Sequence, residues 1–126
     1  MLNKILKALK LKKKIALIIE DSIDIIYMMK QSMSKMGFII DIATNGEDGL
    51  NKYYNNRYDL IITDIGLPKV NGNDIVQLVS QSKKIMPLII MTGDTSYKND
   101  TYRYIYKPFR LHQLKSKINE VLKIRI

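Results

Sequence analysis

Three segments of this chain, Ile15-Ala16-Leu17-Ile18-Ile19, Leu60-Ile61-Ile62 and Leu88-Ile89-Ile90-Met91, are apolar at every successive position. Side chains of a strand point alternately to opposite faces, so a strand with no polar position must be covered on both. Each run is also too short for an ordinary helix. Sheets buried on both faces are built from parallel strands with helices packed on either side, and the intervening sequence supplies the helices. Ile25, Ile26, Met29, Met33 and Met36 recur at helical spacing and stop at Gly37, a residue suited to a helix C-terminus. Gly46 to Asn55, Asn73 to Ser82 and Arg110 to Ile124 read as further helices, the last with Leu111, Leu114, Ile118, Val121 and Leu122 on one stripe. Phe38 to Ala43 reads as a mixed strand and Arg103 to Tyr106 as a short edge strand. The expected class is α/β, a five-stranded parallel sheet.

The alternation of strand and helix fails once. A crossover between parallel strands usually needs a dozen residues or more, mostly helix, yet only about ten residues, Gly93 to Tyr102, separate the fourth strand from the fifth. Their sequence, Gly-Asp-Thr-Ser-Tyr-Lys-Asn-Asp-Thr-Tyr, is rich in turn formers and has no apolar stripe. A single turn or an irregular link is expected there.

With 126 residues the chain supports one hydrophobic core. No apolar run approaches the roughly eighteen residues that cross a bilayer, and the start has neither an unbroken apolar region nor a small-residue cleavage site. The absence of cysteine excludes disulfides, thiolate catalysis and cysteine-based zinc sites, and fits a reducing compartment, so a cytoplasmic location is expected. The net charge of +9 is unevenly spread: Lys4, Lys7, Lys10, Lys12, Lys13 and Lys14 crowd the first fourteen residues without an acid among them. Removing those six from 21 basic residues leaves 15 against 12 acidic ones, so the remainder is only +3. Residues 1–14 are therefore set apart as a basic amphipathic extension, with Leu2, Ile5, Leu6 and Leu9 at helical spacing, and 15–126 as the domain. Contact of the extension with an anionic membrane or nucleic acid is ranked below docking on the domain or solvation as a tail.

In an open parallel sheet, functional groups collect beyond the carboxyl ends of the strands. Applied strand by strand, Glu20-Asp21 follows the first strand, Asp64 the third, Thr92 the fourth and Lys107 the fifth. Three carboxylates within roughly 5 Å would repel by about 3 kcal/mol per pair at an effective dielectric of about 20, and they call for a cation. Oxygen ligands without histidine or cysteine favour a hard ion, and an incomplete carboxylate set suits Mg²⁺. Singly, each residue has a plain reading. An acidic pair at a helix start is ordinary end charge, Asp64 a loop carboxylate, Lys107 a solvated amine and His112 a surface residue. Their agreement across separate strand ends is what carries weight.

The pieces Ile19-Glu20-Asp21, Asp59-Leu-Ile-Ile-Thr-Asp64-Ile-Gly-Leu-Pro68-Lys-Val-Asn-Gly72, Met91-Thr92-Gly93 and Tyr104-Ile-Tyr-Lys107-Pro108-Phe109, in this order, resemble the receiver domains of two-component response regulators. Within that family it is similar to the single-domain, chemotaxis-regulator-like type. The resemblance runs from about Ile15 to Leu122 and implies a flavodoxin-like, doubly wound fold with its fourth helix, the one before the last strand, shortened or missing. It implies that Asp64 accepts a phosphoryl group from a histidine kinase or histidine phosphotransfer protein. Mg²⁺ would be bound by Asp21, Asp64 and the backbone carbonyl of Gly66, with Glu20 acting largely through water. Lys107 would pair with the phosphoryl group across a cis peptide to Pro108, Thr92 would swing toward it, and Tyr104 would be the aromatic that reports the change. So read, the protein catalyses its own phosphorylation and dephosphorylation but is a signalling protein, not a metabolic enzyme. With the chain ending at Ile126 it is expected to stand alone without a DNA-binding domain, acting on a downstream protein target. The alternative is a pseudo-receiver, a binding module that keeps the fold without phosphate cycling. Tyr102, Tyr104 and Tyr106 alternate, so they should share one face with Lys107 directed to the other.

Overall fold

Parallel pairing lines the apolar runs up with one another. Ile18 stands opposite Ile62, and Ile62 opposite Ile89, so the middle of the sheet is apolar on both faces. The computed structural model describes residues 1–4, 13–82 and 85–122. Its elements run β1 (Lys14–Ile19), α1 (Ile23–Lys35), β2 (Phe38–Ala43), α2 (Gly46–Asn55), β3 (Leu60–Asp64), α3 (Gly72–Ser80), β4 (Leu88–Thr92), β5 (Arg103–Tyr106) and α4 (Leu111–Leu122). The strands form one parallel five-stranded sheet in the order β2-β1-β3-β4-β5. This is the doubly wound α/β arrangement expected. Most strand and helix limits fall within two residues of the expected ones, although Lys14, placed with the basic extension, belongs to β1.

Strand alternation divides the core in two. Ala16, Ile18, Leu60, Ile62, Ile89, Met91 and Ile105 pack with Met29 and Met33 of α1 and Leu114 and Ile118 of α4. Leu17, Ile19, Ile61, Leu88 and Ile90 pack on the other side with Ile75, Val76 and Val79 of α3. Each fully buried Ile or Leu contributes about 2 kcal/mol relative to exposure. The helices start at polar caps: Ser22 Oγ accepts from Ile25 N (3.5 Å), Asn45 Oδ1 from Asp48 N (2.8 Å) and Asn71 Oδ1 from Asn73 N (2.8 Å). α1 stops where Gly37 adopts a φ of 95°, a conformation open to glycine.

The helix missing between β4 and β5 is the expected departure, and other side chains cover the gap. Ile90 remains fully buried and Leu88 nearly so. Tyr97 from the link, with Tyr102 and Tyr104, packs on the cluster that contains them. Aromatic rings thus replace a helix at that corner, and Tyr102 and Tyr104 share a face as their alternation requires. At the other end of the chain Met1 and Leu2 are exposed. Most of the amphipathic pattern of residues 1–14, and the end of the helix expected to reach Ile124, lie outside the described residues. Among the described residues no helix is long and apolar enough to cross a membrane.

Candidate active site

Because all five strands run the same way, their carboxyl ends share one edge, and the residues just past them converge. Glu20 continues the alternation of Ala16 and Ile18 and is completely buried, whereas Asp21, on the opposite parity, is exposed. Asp64 is the last residue of β3 and only 7% exposed; Thr92, the last of neighbouring β4, is 4% exposed. Lys107 follows β5, its backbone N bonded to Thr92 O at 2.7 Å and its peptide to Pro108 cis.

The ammonium of Lys107 ties the carboxylates together. Its Nζ donates to Glu20 Oε1 (2.9 Å), Glu20 Oε2 (2.8 Å) and Asp64 Oδ2 (2.9 Å). Backbone donors take up further lone pairs: Ser22 N binds Glu20 Oε1 at 3.2 Å, and Gly66 N binds Asp64 Oδ1 at 3.2 Å. One carboxylate oxygen from each of Glu20, Asp21 and Asp64 lies within 4.8 Å of the others. Burial, and then the charge of Asp64, push the Glu20 carboxyl above its ordinary value in spite of the hydrogen bond from Lys107. For Lys107 burial alone would lower the value, but the hydrogen bonds and charges of Glu20 and Asp64 together outweigh it and raise the amine.

Three carboxylates facing one ammonium leave an excess of two negative charges when all are ionised, and two of them, Glu20 and Asp64, are buried where water screens them poorly. The donor set is all oxygen, which fits a hard divalent cation with positions left over for water or phosphate oxygens. The mouth is open: a Cβ added at Gly66 or Gly93 would meet nothing within 4 Å. Gly72 is the reverse case. There a Cβ would overlap the carbonyl oxygen of Asp64 and lie 2.6 Å from Ile65 Cα, because the first turn of α3 rests on the end of β3. Gly72→Ala is therefore expected to destabilise the fold by about 3 kcal/mol, a large overpacking cost; a urea melt within experimental error of wild type would disprove this close approach.

Glu20, Asp21, Asp64 and Lys107 are thus brought together as the strand-end reasoning required, with Thr92 on the adjoining strand. Tyr104 lies away from this cluster, its ring 5.6 Å from those of both Tyr97 and Tyr106. His112 is exposed on α4. Three contributors escaped the sequence reading: Ser22, whose N–H reaches Glu20; Asp94, whose N–H donates to Thr92 Oγ1 at 3.0 Å; and Gly72 as a packing point. Ser22 alone carried a signal, as a helix-capping residue directly after the acidic pair.

Comparison with known proteins agrees with this geometry. The family model of the response regulator receiver domain matches residues 16–119. Response regulator ArlR of Staphylococcus haemolyticus is 35% identical over 118 residues, covering 85% of this chain and 52% of that protein. The transcriptional regulatory protein CusR of Escherichia coli is 32% identical over 114 residues, covering 85% and 50%. This chain spans about half the length of the curated relatives it matches. Among solved structures, chemotaxis response regulator CheY4 of Vibrio cholerae superposes with a TM-score of 0.81 at 26% identity, covering 88% of this chain and 100% of that one. TrrA of Thermotoga maritima, solved in complex with Mg²⁺-BeF, gives 0.79 at 31% identity, covering 86% and 99%.

Proposed function

The chain belongs to the response regulator receiver family of two-component signalling, and from that we propose that it accepts a phosphoryl group on Asp64 from a histidine kinase or histidine phosphotransfer protein. The observation that carries this reading is the triple engagement of Lys107 Nζ with Glu20 and Asp64 beside a third carboxylate, Asp21. An amine in that place holds the acceptor oxygen in position and can follow it into the product.

Glu20, Asp21 and Asp64, with the carbonyl of Gly66, would hold Mg²⁺, which when bound supplies positive charge against the phosphoryl oxygens. The remaining work falls to side chains of this protein. A carboxylate oxygen of Asp64 attacks phosphorus; the P–N bond to the donor imidazole breaks, its electron pair stays on the ring nitrogen, which takes a proton from solvent, and a P–O bond completes an acyl phosphate. Lys107 exchanges Asp64 Oδ2 for a phosphoryl oxygen, and the Thr92 hydroxyl donates to another. Burial of Glu20, Asp64 and Thr92 limits water at the reacting centre. The reading extends to a cytoplasmic protein that passes the signal on by protein contacts, supported by the absence of cysteine and by the full coverage of the chemotaxis regulator's chain.

Treatment with a small-molecule phosphodonor and Mg²⁺, followed by intact mass measurement, tests the proposal. One added phosphoryl group is expected, with none after chelation of the metal. In the same buffer Mg²⁺ should raise unfolding stability by about 2.7 kcal/mol at a hundredfold excess over its dissociation constant. No mass gain, either with the donor or with a cognate histidine kinase, would leave a binding module that keeps the fold without phosphate cycling.

A further inference from the structure

The link between β4 and β5 is fastened at both ends to groups that matter for signalling. Within it, Asp94 Oδ1 accepts from Ser96 N (2.9 Å) and Ser96 Oγ (2.6 Å), and Asn99 Oδ1 accepts from Thr101 N (2.9 Å) and Tyr102 N (2.8 Å). Tyr97 sits between these two local turns, its N bonded to Asp94 O at 3.1 Å. Its ring meets Tyr104 edge-on, centroids 5.6 Å apart at 85°. Its carbonyl accepts from Tyr106 OH (2.8 Å), and its hydroxyl accepts from Asn99 Nδ2 (3.1 Å). At the near end, Asp94 N donates to Thr92 Oγ1 at 3.0 Å.

We propose that Tyr97 is a latch: it lies on Tyr104 and Tyr106 while Thr92 Oγ1 holds Asp94 N, and withdraws when that hydroxyl turns to a phosphoryl group on Asp64. The proposal rests on the phosphoacceptor reading above. Its physical basis is the weakness and locality of the link. Residues 93–96, 98, 100 and 101 are exposed, and Tyr97 is the one aromatic anchor among residues 93–101. A segment held by local turn bonds, one ring contact and one hydroxyl bond from Tyr106 opens far more easily than a packed helix. A hydroxyl that bonds a charged phosphoryl oxygen gains more than it loses by giving up a neutral backbone donor. Once Asp94 N is released, the turn that seats Tyr97 has lost one of its two hydrogen bonds to the sheet, and the Tyr106 hydroxyl on Tyr97 O is left to hold it with the ring contact. Withdrawal uncovers the ring of Tyr104, which also lines a groove of about 630 Å³ along β5 with Tyr102, Tyr106 and Lys117. The latch thereby occupies the place of the absent helix with a side chain that has two positions, seated and released.

Amide hydrogen exchange across residues 93–106 of the full chain, with and without Mg²⁺ and a small-molecule phosphodonor, tests this, with intact mass followed on the same samples. Wild type should gain one phosphoryl group and show about tenfold faster exchange at Asp94 to Tyr97, the effect of losing one or two hydrogen bonds. Tyr97→Ala should exchange at that fast rate before any donor is added and still gain the phosphoryl group. Tyr97→Phe, which keeps the ring contact, should behave as wild type and guards against misfolding of the alanine variant. Added mass with unchanged exchange in wild type overturns the latch alone. No added mass overturns the phosphoacceptor reading and the latch with it.

Discussion

Asp64→Asn is expected to take up no phosphoryl group under conditions in which wild type takes up one, while keeping its fold. The three carboxylates are not equivalent. Glu20 is fully buried with both oxygens engaged by Lys107, and Asp21 is exposed beyond the end of its strand. Asp64 is fixed as the last residue of β3 and is slightly open to solvent, and the ammonium engages only one of its oxygens while Gly66 N holds the other. An asparagine preserves the shape and the bond from Gly66 but removes the charge, so it is no nucleophile and a poorer metal ligand. Lys107 keeps both bonds to Glu20, and the stability change should stay within about 1 kcal/mol. Intact mass reads the first outcome and a urea melt the second; an Asp64→Asn variant that gains mass like wild type would move the acceptor elsewhere.

Lys107→Met should cost about 3 kcal/mol of stability at neutral pH without metal, because it leaves Glu20 buried without its counter-charge. The loss should be pH-dependent, with a defined sign. Glu20 already binds its proton more tightly in the folded protein than its ordinary value of 4.5 would give. A raised carboxyl favours the folded state at low pH, and that contribution fades as pH rises through the folded value. Without Lys107 the value rises further, so acidification toward 4.5 should restore part of the lost stability. Chemical melts of both proteins across this range would show the gap closing as pH falls. A gap that stays constant or widens would mean that Glu20 does not carry the penalty.

Much of this architecture could be read in advance, for identifiable reasons. Runs such as Ile15 to Ile19 and Leu88 to Met91 admit one environment, a strand covered on both sides, and once those strands are parallel the positions of Asp64, Thr92 and Lys107 follow. Alternation also anticipated Tyr102 and Tyr104 on the face opposite Lys107. Contacts that depend on one residue in an aperiodic stretch stayed hidden. Tyr97 stands among polar neighbours without a repeat to mark it, and its role arises from where the link folds back on β5.

The short passage from β4 to β5 also bears on how the chain assembles. Ile89 and Arg103 pair across 14 positions, whereas Ala16 and Leu60 pair across 44. Bringing the nearer pair together sacrifices about 1 kcal/mol less chain freedom than the farther one. Dispensing with a helix thus gives the carboxyl-terminal pair of strands the least demanding closure in the sheet. Thr92, at the end of β4, and Lys107, just past β5, are therefore the site residues from different strands that meet at the smallest entropic expense.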